Sequence, residues 1–436
     1  MNAFADLVYL FRISMLLFSE LLSKVASVVP AFLLTKGTST IAHFTNPEVR
    51  TLRIVQLGCG ITGLVCAEHL SNHPKVDELV LGDFDTKGAQ ALANRLKLDK
   101  ISVEKVDCRD PKAIKRILKG CDIVVNSVPW DYMSEVQRQA AKTGTNYVDF
   151  CMTIEALHDF APIDKMCKDA GITALTSNGL EPGISDTFAK HAANQLDSVE
   201  EAHVIDGDNG FIPGMEYFST WSPVDWIEEV TIPAAVFKNG KIEYVPPLHE
   251  REVYNFPPPL GPLPVYKTVH DETFLIPRYI KGIKYSDFRI GIDDNFAAIA
   301  RMVRKLGLHT KELVDVKGVK IRPLDLLAAL MPRPSEIAGK IKGQGGTVVE
   351  MIGKKDGKRT KIRVWTYADH EEAYRKHGAN ATGFLVGTGG AIPTEMLVDG
   401  LIKEKGLLVP EMLPSEEFVA RLKKKGLKVN QEITEL

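Results

Sequence analysis

The chain lacks an excess of charge of either sign. Its 436 residues include 54 Lys and Arg against 56 Asp and Glu, which gives a formal net charge of −2. A nucleic-acid-binding protein would carry a basic surplus, so we expect no nucleic-acid partner. The apolar share of 44% is ordinary for a globular protein of this length, for which we expect two or three domains.

Cysteine is scarce, and the common metal and hydrolase motifs are missing. All six cysteines lie between Cys59 and Cys167 without a C-x-x-C pair, which disfavours structural zinc. His69 and His73 are four residues apart, but no H-E-x-x-H motif accompanies them, so we expect no metal. The absence of G-x-S-x-G disfavours a serine hydrolase. Clustered thiols indicate a reducing compartment, and we predict a cytoplasmic protein.

A long apolar run is also missing. The longest uncharged stretch near the N-terminus, residues 25–35, falls short of the ~20 apolar residues that a spanning helix needs, so we expect no membrane span. A secretory signal would begin with a basic region, whereas the first charged residue here is Asp6. We interpret residues 1–50 as an extension of uncertain order: an amphipathic helix that covers an apolar surface, a poorly ordered segment, or, less expected, a membrane anchor.

A nucleotide-binding motif begins at residue 58. Residues 52–57 form a short apolar run typical of a buried parallel strand, and the sequence GCGITG follows at 58–63 before a stretch with helical spacing. Gly58 permits the tight turn, Gly60 lets a pyrophosphate approach the backbone, and Gly63 lets the helix pack against the strand. The amides at the helix N-terminus, at Ile61 and Thr62, would face the phosphates.

Further strand ends carry polar residues suited to the same cofactor. Asp83 lies twenty residues after Gly63, where an acid accepts hydrogen bonds from the adenosine ribose and repels a 2′-phosphate, so NAD is expected over NADP. Asp85 could take this role instead, and Lys87 leaves NADP possible. The predicted cofactor contacts are Gly58, Gly60, Ile61, Thr62, Gly63, Asp83, Asp85, Asp107, Cys108, Asn126, Ser127, Val128 and Pro129.

The alternation of strands and helices predicts an α/β fold. Four strands that alternate with helices near 87–98, 111–119 and 132–143 predict a Rossmann doubly wound parallel sheet. Residues 203–295 are rich in β-branched, aromatic and proline residues, which predicts an α+β substrate domain with a mixed or antiparallel sheet and its helices elsewhere. The predicted domains are 51–176 (NAD(P)-binding), 177–385 (substrate) and 386–436 (C-terminal helices that return to the first domain).

Motifs spread along the chain resemble those of the saccharopine dehydrogenase-like family, of the saccharopine reductase and lysine 6-dehydrogenase type. They are GCGITG (58–63), DIVVNSVPW (122–130), YVDFC (147–151), SNGLEPGISD (177–186), VFKNGKIEYVPPL (236–248), FPPPLGPLPVY (256–266) and GLLVPEMLPSEEFVARLKKKGL (406–427). The resemblance implies reversible hydride transfer between NAD(P) and a C–N bond of an amino acid. Saccharopine or lysine is the expected substrate, and carboxylated polyamine precursors are the other choice within the family.

Candidate catalytic and substrate-binding groups lie beyond the fourth strand. An amine nitrogen must lose a proton before hydride leaves its carbon, and His270 is the natural group with a near-neutral pKa. Arg278 could clamp a substrate carboxylate through two hydrogen bonds. Glu181 lies in an Asn-Gly-Leu-Glu-Pro-Gly turn of fixed geometry. The predicted catalytic residues are His270, Glu181 and Asp149, and the predicted substrate contacts are Arg278, Glu272 and Trp130.

Each of these interpretations has an alternative. The turn at 178–183 could simply cross between domains, and His270 could be a surface histidine with an ordinary ion pair. On the same scaffold, the chain could be a non-catalytic nucleotide-binding sensor or interaction protein. We expect an enzyme and a homodimer. Its catalytic centre would lie between the ends of the fourth and fifth strands and the 178–186 turn, facing His270 and Arg278 from the second domain.

Two later segments carry turn signals. Residues 347–368 alternate in polarity around an Asp356-Gly357 turn, which predicts a hairpin at the edge of the sheet. Residues 387–390, Gly-Thr-Gly-Gly, predict a flexible turn before a helix that runs from about residue 391 to 403. That turn would serve either as an anion site or as close backbone packing at the domain junction.

Overall fold

A parallel sheet of seven strands organises the first part of the protein. The structure, a computed structural model, describes residues 51–436, so the expectations for residues 1–50 lie outside the described residues. The strands of this first sheet are β1 (Arg53–Leu57), β2 (Glu78–Asp83), β3 (Ile101–Lys105), β4 (Ile123–Asn126), β5 (Asn146–Asp149), β6 (Thr173–Leu175) and β17 (Gly406–Leu408). They lie in the order β17-β6-β5-β4-β1-β2-β3, and every neighbouring pair is parallel. This arrangement confirms the predicted doubly wound sheet, and the direction of winding reverses between β1 and β4.

Both faces of the first sheet are buried. Ile54 and Val55 are adjacent in β1 and fully buried, but they belong to different hydrophobic clusters because successive side chains point to opposite faces. Burial on both faces is expected for parallel strands, since the connecting segments are helices that cover the sheet. The helices of this part are α1 (Ile61–Ser71), α2 (Lys87–Leu96), α3 (Pro111–Ile117), α4 (Trp130–Thr143), α5 (Ile154–His158) and α6 (Ala161–Asp169).

A second sheet of nine strands is mixed. Its strands are β7 (Ser198–Asp208), β8 (Ala234–Lys238), β9 (Lys241–Val245), β10 (His249–Phe256), β11 (Gly261–Lys267), β12 (Tyr285–Gly291), β15 (Gln344–Lys355), β16 (Lys358–Asp369) and β18 (Asn430–Glu435). The main order is β10-β11-β12-β7-β15-β16-β18, while β8 pairs with β12 and β9. The β7–β12 pair is parallel, and the other pairs are antiparallel. A separate two-stranded ribbon consists of β13 (Val314–Val316) and β14 (Val319–Ile321).

Helices also occur inside the region that was predicted to be sheet and loops. Ser222 caps the helix at 223–231 by accepting a hydrogen bond from the Asp225 amide, and Pro223 occupies its first position. The expectation that the helices of this domain lie outside residues 203–295 was therefore wrong, although the helices found there are short. The remaining helices are α7 (Ile184–Ala193), α8 (Pro223–Thr231), α9 (Glu272–Tyr279), α10 (Asp294–Lys305), α11 (Pro323–Leu330), α12 (Pro334–Ile337), α13 (His370–His377), α14 (Ala381–Val398) and α15 (Ser415–Lys424).

The predicted hairpin is present, but it is not at the edge of its sheet. β15 and β16 are joined by Asp356 and Gly357, which both have positive φ angles, at +52° and +78°, as a tight two-residue hairpin turn requires. β15 also pairs with β7, and β16 also pairs with β18. The edge position was wrong because β18 comes from the end of the chain, some sixty residues after β16.

The glycines at 387–390 lie inside α14, so the predicted turn and the helix start near 391 were wrong. A Cβ on Gly387 would lie 2.6 Å from the Thr62 carbonyl oxygen of α1, and one on Gly389 would lie 1.9 Å from the Gly179 carbonyl oxygen. Close packing therefore outweighs the low helix propensity of glycine, and the close-packing alternative is the correct one.

The C-terminal segment contributes to both sheets. The sequence predicted that this segment returns to the first domain as helices. In the structure it returns there partly as a strand, since β17 joins the first sheet, and it also adds β18 to the second sheet. The amide of Gly406 donates to the Ile172 carbonyl oxygen, which anchors β17 beside β6. Among residues 51–436, no helix has the length and apolar character that a membrane crossing requires.

Candidate active site

A cleft of about 1010 Å³ opens at the carboxyl ends of the parallel strands. The turns after β1, β2 and β4 line one side, and side chains of β7, α8 and the loop before α9 line the other. Ligands of open α/β sheets bind at this edge, where the direction of winding reverses. The cleft is large enough for a dinucleotide beside a small substrate.

The glycine turn after β1 leaves the N-terminus of α1 open to the cleft. Gly58 has a φ of +83°, and a Cβ on it would lie 2.5 Å from the Ser127 carbonyl oxygen. A Cβ on Gly60 would have no heavy atom of the described chain within 4 Å beyond its sequence neighbours, and no side chain caps α1. A Cβ on Gly63 would lie 2.1 Å from the Gly58 carbonyl oxygen. The uncapped amides of α1 and the open space at Gly60 therefore fit a pyrophosphate.

Acidic and basic side chains are mixed at the adenosine end of the cleft, after β2 and β3. Asp83 accepts hydrogen bonds from the Cys59 amide at 2.5 Å and the Asp85 amide at 2.8 Å, so it braces the glycine turn. The ring of Phe84 is exposed, and the Arg109 guanidinium lies 5.2 Å from its centre. This end offers a carboxylate to a ribose, a ring for stacking, and a cation that could meet a 2′-phosphate.

Twelve of the thirteen predicted cofactor residues line the cleft. Gly63 lies behind them, in the contact between α1 and the glycine turn. The Ser127 hydroxyl joins two strand ends, since it donates to the Gly58 carbonyl oxygen at 2.7 Å and accepts from Gln56 Nε2 at 2.9 Å. The residues in the lining are Gly58, Gly60, Ile61, Thr62, Asp83, Asp85, Asp107, Cys108, Asn126, Ser127, Val128 and Pro129.

His270 faces the cleft with one ring nitrogen free. Its ring stacks on Phe288 with 4.0 Å between the centres, and its Nδ1 lies 2.5 Å from Glu272 Oε2. Nothing in residues 51–436 hydrogen-bonds its Nε2, which leaves that nitrogen for a ligand. Burial alone would lower the pKa of His270, but the Glu272 carboxylate outweighs burial and raises the pKa to about 10. The ring is therefore an imidazolium at neutral pH, rather than the near-neutral group predicted from the sequence.

Carboxyl groups dominate the walls around His270. Asp206 and Asp208 are alternate residues of β7, so they share one face of that strand. Asp225 and Glu229 are four residues apart on α8, so they share one face of that helix. These four residues were missed in the sequence, because such spacings are also common on solvated surfaces. The carboxyl groups that line this end are Glu181, Asp206, Asp208, Asp225, Glu229 and Asp271.

Burial and mutual repulsion raise the pKa values of these carboxyl groups. Burial, followed by the charges of Asp208 and Glu229, raises the pKa of Asp206. Burial and Asp206 raise the pKa of Glu181, whose Oε1 has no hydrogen-bond donor among the described residues. Burial also raises the pKa of Asp225 to about 6. A cationic ligand would relieve this repulsion. The lysine and arginine side chains of the described lining all lie toward the adenosine end, and they are Lys87, Arg109 and Arg333.

The turn at 178–183 carries Glu181 into the cleft. Gly183 has a φ of +128°, and a Cβ on it would lie 2.3 Å from the Gly179 nitrogen, so only glycine fits there. The Gly183 amide donates to Asp186 Oδ2 at 2.7 Å, which fixes the start of α7. Trp130 also lines the cleft, where its Nε1 donates to the Cys151 sulfur at 2.8 Å.

Arg278 does not reach the cleft, which corrects its assignment as a substrate clamp. Its guanidinium donates to the Leu157 carbonyl oxygen at 3.1 Å and lies 4.7 Å from the centre of the Phe160 ring. Spacing within a helix as short as α9 did not reveal which of its side chains would face the cleft.

Glu272 and Asp149 also lie outside the cleft lining. Glu272 is fully buried, with one oxygen on His270, so its predicted substrate contact is replaced by a contact to the histidine. Asp149 is buried beneath the lining, where it accepts hydrogen bonds from Thr176 Oγ1 at 2.7 Å and the Ser177 amide at 2.9 Å. Burial raises the pKa of Asp149 to about 7, but its position corrects the prediction of a catalytic residue, since a substrate could not touch it.

Within the described residues, no group of histidine, cysteine, aspartate and glutamate side chains is arranged to hold a metal ion.

The fold and the cleft define a dinucleotide-binding oxidoreductase. The chain belongs to the saccharopine dehydrogenase family, because residues 54–175 match the saccharopine dehydrogenase NADP binding domain and residues 179–427 match the saccharopine dehydrogenase C-terminal domain. The family suggested by the sequence motifs and the expectation of an NAD(P) cofactor are thereby confirmed.

Relatives and solved structures resemble this chain along most of its length. Carboxynorspermidine synthase of Vibrio cholerae is 26% identical over 408 residues, and carboxyaminopropylagmatine dehydrogenase of Synechocystis sp. is 24% identical over 386 residues. Each alignment covers 86% of this chain and 96% of the relative. The L-Glu-forming saccharopine dehydrogenase of Saccharomyces cerevisiae has a TM-score of 0.65 at 19% identity, over 88% of this chain and all of that one. Homospermidine synthase of Legionella pneumophila, solved with NAD, has a TM-score of 0.66 at 14% identity, over 88% and 92% of the two chains. At these identities the likeness shows the fold.

Proposed function

We propose that the protein is an NAD(P)-dependent oxidoreductase that interconverts a carboxylated polyamine with its amine and aldehyde components. The observation that carries this proposal is the concentration of carboxyl groups around His270. Asp206 on β7 and Glu229 on α8 approach one cleft from two different elements, and the Glu181 turn adds a third carboxyl group. A substrate with two or more ammonium groups would replace the repulsion among these groups with attraction.

The same carboxyl groups disfavour the substrate first expected from the sequence. Saccharopine is a tricarboxylate, and its negative charges would meet Asp206, Asp225 and Glu229 rather than arginine or lysine. Arg278, the predicted clamp, packs elsewhere. Both relatives described above are named for carboxylated derivatives of cationic amines, which agrees with the charge of this cleft.

The cofactor fits the end of the cleft at the glycine turn, and when bound it supplies or accepts the hydride at the carbon that bears the nitrogen. The chain's own residues bind the amine and transfer the proton that the reaction requires. In the reductive direction, the amine adds to the aldehyde, and the resulting carbinolamine must lose hydroxide as water. The His270 imidazolium can donate the proton from Nε2 to that hydroxyl group, which leaves an iminium for reduction. In the oxidative direction, the ring first releases its Nε2 proton to solvent, and the neutral ring then accepts a proton from the water that adds to the iminium.

The test is a comparison of carboxynorspermidine, saccharopine and lysine as substrates for oxidation by the purified protein with NAD⁺ and with NADP⁺. Turnover is followed by the absorbance of the reduced cofactor. We expect turnover with carboxynorspermidine and none above background with saccharopine. Preference for saccharopine would overturn the polyamine assignment. Cofactor binding without turnover on any substrate would favour the non-catalytic sensor that the sequence left open.

Substitutions of the acidic residues in the cleft test whether their negative charge binds the substrate amine. We expect Asp206→Asn and Glu229→Gln each to raise the KM for the amine about tenfold, which corresponds to about 1.4 kcal/mol, while cofactor affinity stays unchanged. Glu228→Gln is the matched control, because Glu228 lies on the same helix but outside the cleft lining, with its carboxylate 2.8 Å from Lys311. An equal rise in KM for the control would contradict the role of the cleft charges.

The compartment and the assembly state remain predictions. Among the described residues all six cysteines are free, and burial raises the pKa of Cys66 and Cys121, among others, which disfavours the reactive thiolate form. Free buried thiols support the expected cytoplasmic location. A homodimer is expected as before.

A further inference from the structure

We propose that His370 is a positioning residue that holds the Asp208 carboxylate in the cleft, where Asp208 binds the distal ammonium group of the substrate. The His370 side chain is fully buried and lies behind the cleft lining, so it acts on a substrate only through Asp208. The proposal deepens the function above, because it rests on a cationic amine as the ligand of this cleft.

Asp208 lies farther along the cleft from His270 than Asp206 does. The His270 ring stacks on Phe288 of β12, and Phe288 is in register with Val204 of β7. Residues that are two apart in a strand point to the same face, so Asp206 and then Asp208 follow Val204 on that face. Both carboxyl groups line the cleft. They therefore offer successive sites to an amine whose reacting nitrogen lies at His270.

Two donors meet on one oxygen of Asp208 and leave its other oxygen for a ligand. Oδ1 accepts the Gly210 amide at 2.6 Å and lies 3.2 Å from His370 Nε2. Within residues 51–436, no donor hydrogen-bonds Oδ2, although 20% of the side chain is exposed. A carboxylate that is fixed through one oxygen can accept hydrogen bonds from an ammonium group with the other.

The contacts of His370 fix which of its ring nitrogens carries hydrogen. The Ala381 amide donates to Nδ1 at 3.1 Å, so Nδ1 is an acceptor without a hydrogen. The hydrogen of the neutral ring therefore lies on Nε2, from which it is donated to Asp208. The backbone is held as well, since the His370 amide donates to the Gly343 carbonyl oxygen at 3.0 Å.

Two glycines leave the space that the ring and the carboxylate need. A Cβ on Gly210 would lie 2.9 Å from His370 Nε2 and 2.7 Å from Asp208 Oδ1. A Cβ on Gly345 of β15 would lie 2.8 Å from Asp208 Oδ2. The absence of a side chain at both positions allows the start of α13 to approach the end of β7.

A purely structural role for His370 would rest on its other contact. Ala381 is the first residue of α14, whose first amides have no partner within the helix, and Nδ1 supplies one. A test of positioning must therefore remove the contact to Asp208 and keep the contact to Ala381. The side chains of asparagine and glutamine separate the two, because asparagine can place its oxygen where Nδ1 lies and glutamine can place its amide nitrogen where Nε2 lies.

The experiment measures norspermidine binding by titration calorimetry and the KM for carboxynorspermidine, both with the full chain. Norspermidine has the amine spacing of carboxynorspermidine without its carboxylate, and its binding needs no turnover. We expect Asp208→Asn and His370→Asn each to weaken binding and raise this KM about tenfold, with little change in kcat or in the KM for the cofactor. His370→Gln should recover most of the loss, because its amide can donate to Asp208.

His377→Asn is the matched control. It makes the same substitution at the other end of α13, where the His377 ring stacks on Phe384 outside the cleft lining. We expect it to leave norspermidine binding and the KM for carboxynorspermidine unchanged. A loss in the control as large as that in His370→Asn would overturn the assignment of His370.

The double variant His370→Asn/Asp208→Asn gives the signature of a residue that acts through another. If His370 acts only through Asp208, the double variant should lose no more affinity than Asp208→Asn alone. Losses that add, or equal losses in His370→Asn and His370→Gln, would show a merely structural role and overturn the proposal. Unchanged norspermidine binding in Asp208→Asn would overturn it as well.

A nitrogen-15 NMR spectrum of the wild-type histidine rings tests the contact even if His370→Asn does not fold. The His370 signals, identified by their loss in His370→Gln, should show hydrogen on Nε2 and none on Nδ1, and the opposite tautomer would overturn the proposal.

Failure of this site and failure of the proposed function give different results. Norspermidine binding that depends on Asp208, without oxidation of carboxynorspermidine, would contradict the proposed function and leave this site standing. Oxidation of carboxynorspermidine with an unchanged KM in Asp208→Asn would leave the proposed function standing and overturn this site.

Discussion

At the scale of single residues, the three glycines of the turn at 58–63 differ in how well the structure would tolerate a side chain at each position. Gly58 and Gly63 are confined by the backbone of their own turn and by Ser127, whereas Gly60 faces open space in the cleft. Gly60 also has an ordinary φ of −71°, so any side chain is tolerated there by the backbone. A substitution at Gly60 therefore tests the ligand rather than the fold.

We expect Gly60→Val to abolish cofactor binding and leave the fold intact. The valine side chain would occupy the space through which a pyrophosphate approaches the amides of α1. Titration calorimetry with NAD and NADP measures the loss, which should be at least about a hundredfold, or about 2.7 kcal/mol. Gly60→Ala, with its smaller side chain, is the graded control. Wild-type affinity in the valine variant would remove the cofactor from this turn.

Asp83→Asn should improve NADP binding relative to NAD. A neutral amide no longer repels a 2′-phosphate, and its oxygen can still accept the Cys59 amide, so the glycine turn keeps its brace. The ratio of the two dissociation constants, measured by quenching of protein fluorescence, should shift toward NADP by about tenfold. If the wild-type protein already prefers NADP, the reading of Asp83 is wrong and the cations near Phe84 become the determinants.

At the scale of elements, β7 serves two purposes because its faces alternate. Asp206 and Asp208 line the cleft, whereas His203 on the opposite face joins a buried ionic cluster. The cluster is centred on Asp287 of β12, which is fully buried and lies 2.7 Å from His203 Nδ1 and 2.9 Å from Arg289 Nη2. The parallel pairing of β7 with β12 brings these residues together from positions more than eighty residues apart.

We expect Asp287→Asn to destabilise the protein by about 3–5 kcal/mol, because it removes the buried counter-charge that His203 and Arg289 share. Chemical unfolding measures the loss. Asp169→Asn is the control, since the pair of Asp169 with Lys165 is exposed and should be worth at most about 1 kcal/mol. A loss no larger than the control would show that the cluster adds nothing to stability.

The cluster also sets a pH dependence with a definite sign. Burial would lower the pKa of His203, but Asp287 and Glu201 outweigh burial and raise it to about 9. A pKa raised above the ordinary 6.5 adds stability that is complete below pH 6.5 and is lost as the pH rises through about 9. The difference in the free energy of unfolding between wild type and Asp287→Asn should therefore become smaller as the pH rises from 6.5 to about 9. A difference that grows over this pH range would contradict the raised pKa of His203.

At the scale of the whole molecule, both sheets and the cleft lie within residues 51–436, and both family matches lie within 54–427. We expect a variant that begins at Asn46 to bind cofactor and turn over substrate as the full chain does. Steady-state kinetics and calorimetry on both proteins make the comparison, and light scattering on both measures the expected homodimer. Aggregation or lost turnover on truncation would mean that residues 1–45 cover a surface that the enzyme needs.

Local patterns were enough to predict the nucleotide-binding half of the protein. A glycine turn between a buried strand and a helix has few structural solutions, since it needs positive φ at Gly58 and the absence of a Cβ at Gly63. The family and the type of cofactor followed from the same motifs and from the long proline-rich segments.

Only the tertiary structure determined which charged side chains lie together at the substrate end of the cleft. Asp206 and Glu229 are separated in sequence, and they line one cleft only because β7 and α8 both border it. Residues 387–390 are helical because close packing against α1 outweighs the low helix propensity of glycine. Contacts between distant segments depend on how the elements pack, and no local spacing encodes that packing.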